Sequence, residues 1–131
     1  MLKDVLDYPT LDEEAEVVRR IDAGIYLAEQ TPAVSLADVR RLQALTRAVY
    51  LDDTVIRYAV GLAYVTRHAE RYLDPALARY VEFGASPRAS IAFAQAARAR
   101  ALLAGRDHAV PDDVQALAHR VLRHRIILGF E

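Results

Sequence analysis

The sequence predicts an all-α domain, a bundle of four to five helices. Apolar residues recur at three- and four-residue steps through most of the 131 residues, sustained apolar/polar alternation is almost absent, and capping signals stand at the starts of the periodic stretches. The first helix opens at Thr10-Leu11-Asp12-Glu13, the spacing of a capping box, and carries Val18, Ile21, Ile25 and Ala28 on one face to about Gln30, where Thr31-Pro32 ends it. The second runs from Ser35 to about Tyr50 with Leu36, Val39, Leu42, Leu45 and Val49 on an expected core-facing stripe, and Leu51-Asp52-Asp53 breaks it.

The third helix is expected from there to about Tyr72, with Ile56, Ala59, Val60 and Ala63 on one side and Arg57, Arg67 and Glu70 in water. Arg71 to Phe83, which includes Pro75, reads as a connection. The fourth helix, Ser86 to about Ala104, has alanine at 89, 92, 94, 96, 97, 99, 101 and 104; high helix propensity and small side chains on nearly every face predict a central, closely packed helix. Gly105 is placed to close it in a left-handed conformation. The fifth helix has Pro111 at its first position and Asp112 and Asp113 in its first turn, and extends to about His124; Ile126-Ile127-Leu128 adds a short strand or a docking tail.

Composition narrows the function classes. With 53% hydrophobic and 27% charged residues the chain is an ordered domain, and 131 residues suffice for one core. It contains no cysteine, which excludes disulfides and thiolate metal sites. A formal net charge of −1 gives no global attraction to nucleic acid or to an anionic membrane, and no run approaches the roughly 18 apolar residues of a membrane span. The expected location is the cytoplasm. The histidines at 68, 108, 119 and 124 lack the helical pairing that shares a metal, and Arg19-Arg20, Arg40-Arg41 and Arg120/Arg123/Arg125 are interspersed with acids, so no metal site and no nucleic-acid face is expected.

One segment carries chemistry. In Tyr80-Val81-Glu82-Phe83-Gly84-Ala85-Ser86-Pro87-Arg88-Ala89-Ser90 an arginine falls in the first turn of a helix behind a glycine hinge. Free N–H groups make a helix amino terminus electropositive, so a cation is unfavourable there unless an anion joins it. Ser86 suits the N-cap and Pro87 the first helical position, which lets backbone amides and the Arg88 guanidinium converge on one phosphate-sized ligand. Taken alone, the same arginine is better explained by pairing with a carboxylate.

The stretch Tyr80 to Gly105 closely resembles the sensor-2 region in the lid of MoxR-family AAA+ ATPases. Matches continue in order on both sides, at Leu6-Asp7-Tyr8-Pro9, at Gly105-Arg106-Asp107 before Val110-Pro111-Asp112-Asp113-Val114-Gln115, and at Val121-Leu122-Arg123-His124-Arg125. The resemblance implies that residues 1–131 are a C-terminal AAA+ lid, with 1–9 the end of the core–lid junction. It implies that Arg88 is the sensor-2 arginine contacting the γ-phosphate of ATP, in its own or a neighbouring subunit. Ser86 and Pro87 lie at the same helix start, where their role as helix-start residues is the stronger reading. Tyr8-Pro9 resembles the junction near adenine, although a turn before a capped helix explains it equally well.

The resemblance further implies ATP and Mg as cofactors of the intact protein, an upstream AAA+ core domain, neighbouring subunits in a hexamer, and chaperone-like maturation of other protein complexes, with von Willebrand A-domain proteins among the candidate partners. A Gly-x-x-x-x-Gly-Lys-Ser/Thr phosphate loop and the acidic residues that hold Mg are both missing from the chain, so on its own it is expected not to hydrolyse ATP. The other reading is a stand-alone helical protein-interaction module without nucleotide binding. One departure from the family pattern is Val110, where a threonine N-cap is expected; an uncapped start would weaken that helix by about 1 kcal/mol.

Overall fold

A computed structural model of the chain describes residues 2–25 and 32–129. Capping sets the helix starts. Thr10 opens α1 (Leu11–Asp22) with a reciprocal box in which its backbone N donates to Glu13 Oε2 at 2.8 Å. Ser35 does the same with Asp38 for α2 (Leu36–Ala48), and the Asp52 carboxylate accepts from Thr54 N to open α3 (Asp53–Arg67). The first helix ends earlier than the expected Gln30: α1 stops at Asp22, where Ala23 N donates to Arg19 O, Gly24 N to Ile21 O, and Gly24 turns to φ +69°, so Ile25 does not extend its face; Ala28, Gln30 and Thr31 lie outside the described residues.

The third expected helix is two helices. His68 leaves helical geometry at φ −130°, ψ 43°, its ring stacked on Tyr64 with centroids 4.3 Å apart, and α4 (Ala69–Tyr72) begins after it. The connection contains one further turn, α5 (Pro75–Ala78), capped by Asp74, and then β1 (Val81–Phe83). Next come α6 (Pro87–Leu103), α7 (Pro111–Ala116), α8 (Ala118–Leu122) and β2 (Ile127–Leu128). The fifth expected helix is thus also divided: at Leu117 the N–H turns to Val114 O, tightening the last turn of α7 before α8 starts. Antiparallel pairing of β1 with β2 matches Val81 to Leu128 and Phe83 to Ile127, so the tail forms a strand.

As expected from its alanines, α6 is the hub: Ala89, Ala92, Phe93, Ala97 and Ala101 are buried, and α2, α3, α7 and α8 pack around it. Small side chains let the neighbouring backbones approach, and Phe93 fills the centre. Gly105, at φ +73°, ends α6 with Arg106 N donating to Ala101 O and Gly105 N to Leu102 O, the paired bonds of a Schellman motif.

Two expected packing faces differ from what the fold shows. On α3 the buried stripe is Val55, Ala59 and Ala63, at four-residue steps, whereas Ile56 and Val60 lie off it and are exposed. On α2 the proposed core-facing stripe is largely in solvent: Val49, just past its end, is buried, but Leu36, Val39, Leu42 and Leu45 are exposed. The periodicity is real, but α6 covers only one edge of α2. The apolar side of α1 is more open still, with no buried residue and with Leu11, Val18 and Ile21 exposed.

Candidate functional site

The pairing of β1 with β2 folds the carboxy-terminal segment back beside the start of α6. An open cleft of about 700 Å³ results, lined by Phe83, Gly84, Ser86, Arg88, Ile91, Ala92 and Gln95 on one side and His124, Arg125 and Ile127 on the other. Arg88, Ile91, Ala92 and Gln95 share one face of α6 by helical spacing. Among the described residues, two that bear guanidinium groups line this cleft and no carboxylate does.

Arg88 occupies the second position of α6, is exposed, and has no hydrogen bond or ion pair among the described residues. The alternative in which it pairs with a carboxylate therefore finds no partner there. Pro87 takes the first helical position, and the first turn holds no acidic side chain. Ser86 sits at the N-cap position with extended backbone (φ −68°, ψ 170°), as expected, but its hydroxyl makes no capping bond; only its carbonyl is engaged, accepting from Ala89 N at 2.8 Å. Pro87 has no N–H and the Ala89 N–H is taken by Ser86 O, so the Arg88 N–H, a free hydroxyl and a free guanidinium meet at one helix end, a donor set suited to an anion.

Tyr8 and Pro9 do not line this cleft. Tyr8 is almost fully exposed in the segment before α1, a segment that runs along α8 through Lys3 N donating to Arg120 O at 2.9 Å and an Asp4–Arg120 ion pair at 2.8 Å. Of the residues expected at a ligand, the fold brings together Ser86, Pro87 and Arg88.

Reasoning from sequence left His124, Arg125 and Gln95 out of the cleft. Gln95 follows Arg88 by seven residues and is recoverable from helical spacing, but the approach of His124 and Arg125 depends on a strand pairing that no local pattern signals. Arg125 donates to the Val121 carbonyl, which ties it to α8. Both ring nitrogens of His124 are buried without a hydrogen-bond partner among the described residues, and burial, with the nearby charges of Arg125 and Lys3, holds its pKa below the ordinary histidine value of 6.5.

Behind the cleft, the α6 entry is fastened to α3. Ala85 N donates to Thr66 Oγ1 at 2.9 Å and Arg67 Nη1 donates to Ala85 O at 2.5 Å. Gly84 lies so close to α3 that a β-carbon there would overlap the Thr66 carbonyl and come within 2.5 Å of the Arg67 nitrogen. The absence of a side chain at 84 is a steric requirement of this joint.

Comparison with known proteins places the architecture. Residues 75–131 match the AAA lid domain family. Over 95% of the chain there is 35% identity to the chaperone MoxR1 of Mycobacterium tuberculosis, of which 32% is covered. Protein MoxR of Methylorubrum extorquens is 30% identical over 96% of the chain and 36% of its own length. The crystal structure of a candidate ATPase from Cytophaga hutchinsonii superimposes with a TM-score of 0.82 at 33% identity, covering 99% of this chain and 39% of that one. The chain therefore spans about a third of the length of the curated relatives it matches.

Proposed function

Because the chain is an AAA lid domain of the MoxR family by sequence and fold, we propose that it works as the C-terminal lid of an ATP-hydrolysing machine, with Arg88 as its sensor-2 arginine. The observation that carries this reading is the position of Arg88: a guanidinium without a partner among the described residues, in the first turn of a 17-residue helix, on a cleft that no described carboxylate lines. A terminal phosphate there would receive paired, charge-assisted hydrogen bonds from the guanidinium, with the α6 amides adding to the field. The donors fit a polyphosphate; ATP with Mg supplies the transferable phosphoryl group when bound.

The chain's own part is to bind and orient. Arg88 neutralises charge on the phosphate oxygens, and Ser86 and Pro87 keep the helix end open toward them. Phosphate loop and Mg ligands belong, in this reading, to a core domain outside this chain, as does the adenine contact for which Tyr8 and Pro9 are candidates. The exposed apolar sides of α1 and α2 support a lid that packs against such a core or against neighbouring subunits of a ring, since these helices bury almost nothing here. Among the described residues no helix is long and apolar enough to cross a membrane, and a cytoplasmic machine is the proposed setting. Movement of the lid as a rigid body would pass the nucleotide state to chaperone-like work on partner complexes, von Willebrand A-domain proteins among the candidates.

The test is ATP turnover by the complete ATPase that carries this lid, wild type against Arg88→Ala, with folding and assembly verified for both. Loss of a phosphate-contacting donor is expected to lower kcat by about 10²-fold or more. Unchanged turnover in a folded, assembled variant refutes the assignment, and a complete protein without any phosphate loop or turnover favours the interaction module.

A further inference from the structure

We infer that Thr66 and Arg67, the last two residues of α3, are positioning residues for Arg88: by clamping the Gly84–Ala85 linker they set the direction in which the first turn of α6 presents its guanidinium. The inference rests on the reading of Arg88 as a phosphate contact.

Helix entry angles are commonly fixed by the N-cap side chain, but Ser86 makes no such bond. Direction must then come from upstream. Ala85, fully buried and three residues before Arg88, has both of its main-chain polar groups taken by α3: its N–H by Thr66 Oγ1 and its carbonyl by Arg67 Nη1. The Thr66 hydroxyl donates in turn to Ala63 O at 2.7 Å, which orients a lone pair at the Ala85 N–H.

Arg67 has no carboxylate partner among the described residues; its guanidinium lies 5.8 Å from the Tyr64 ring centroid and is directed to a backbone carbonyl. A cation holding a main-chain oxygen is a strong restraint. Gly84 completes the clamp by allowing the linker backbone to touch the end of α3. Two side chains and one missing side chain thus converge on the segment leading into Arg88, and none of them lines the cleft except Gly84.

A misdirection of about 1 Å at a contacting group costs up to 10²-fold in rate. In the complete ATPase, Thr66→Val removes the hydroxyl at constant shape and is expected to lower kcat about tenfold or more while leaving KM for ATP nearly unchanged. Thr66→Ser keeps the hydroxyl and should restore turnover. Because the clamp acts through Arg88, Thr66→Val combined with Arg88→Ala should turn over no more slowly than Arg88→Ala alone. Arg67→Met, which keeps the apolar stem, provides the same comparison should Thr66→Val not fold. If folded clamp variants keep wild-type kcat while Arg88→Ala loses it, or if the losses multiply in the double variant, the inference is overturned. If Arg88→Ala itself has no effect, it is the reading of Arg88 that falls, and the clamp has no role through it.

Discussion

Arg106 holds Asp113 with both ends of its guanidinium, Nη1 to Oδ2 at 2.9 Å and Nη2 to Oδ1 at 2.7 Å, across the loop that joins α6 to α7. Asp113 is 1% exposed, and its remaining capacity is used by Val110 N at 2.9 Å and by Arg100 Nε at 3.3 Å. The Schellman turn at Gly105 aims Arg106 back at this carboxylate, so the end of one helix and the start of the next are closed by the same residue pair.

Removing that buried charge is therefore expected to be costly. Asp113→Ala leaves Arg106 and the Val110 N–H without their acceptor, and a loss of about 3 kcal/mol is expected in urea or thermal unfolding of the chain. The Arg106 hydrogen bonds, against the opposing effect of burial, hold the Asp113 pKa below its ordinary 3.8. The folded state then binds its proton later than the unfolded state. The stabilisation is complete above about pH 4 and is lost as pH falls through the lowered value. An acid titration in which wild type and Asp113→Ala lose stability in parallel below pH 4 would contradict this.

Gly84→Ala is expected to be worse than its single methyl suggests. The new β-carbon would meet backbone, the Thr66 carbonyl and the Arg67 nitrogen, with no flexible side chain able to move aside. Overpacking at such a site costs about 1–3 kcal/mol. Gly61, inside α3 with open space around its α-carbon, is the control: there alanine should stabilise by about 0.5–1 kcal/mol through helix propensity. Thermal midpoints of the two variants should move in opposite directions.

Local chemistry accounts for what the sequence made legible. The Thr10–Glu13 spacing, Pro111 with its acidic first turn, Gly105 after the last periodic residue and the alanines of α6 each specify structure within a few residues, and all act as expected. The place of Arg88 at a helix start was legible for the same reason. Burial was not local. An apolar stripe on α2 predicts that a face exists but not that anything covers it, and α6 reaches only its edge. The breaks at His68 and Leu117 lack glycine or proline to announce them. The Thr66–Ala85 and Arg67–Ala85 bonds span 19 and 18 residues, and the wall formed by His124 and Arg125 depends on β1–β2 pairing.

His124 should make the fold sensitive to mild acid. Its buried ring nitrogens, without a partner among the described residues, resist protonation, and Arg125 and Lys3 add repulsion, so its folded pKa lies under 6.5. The unfolded chain takes up the proton first. Stability is thus highest above pH 6.5 and declines as pH drops from there toward the lowered folded value. His124→Phe retains a ring and removes the titration; its urea midpoint should change less between pH 7.5 and about 5.5 than that of wild type. Identical pH slopes for the two proteins would exclude His124 as the source.

Val110 offers the opposite opportunity, a gain. It holds the N-cap position of α7 with extended backbone, φ −122° and ψ 162°, but has no side-chain acceptor, and the Asp113 N–H reaches only the Val110 carbonyl at 3.0 Å. Half of a capping box is already built, because the Asp113 carboxylate accepts from Val110 N. Threonine is nearly isosteric with valine, and its hydroxyl would accept from the amides of the first turn and complete the box. Val110→Thr is expected to raise stability by about 1 kcal/mol, measured as an increased urea midpoint at unchanged m value. The gain should largely disappear when Asp113→Ala is also present, since the hydroxyl then caps a turn whose reciprocal bond and arginine anchor are gone; full additivity of the two changes would show that the cap and the ion pair act independently.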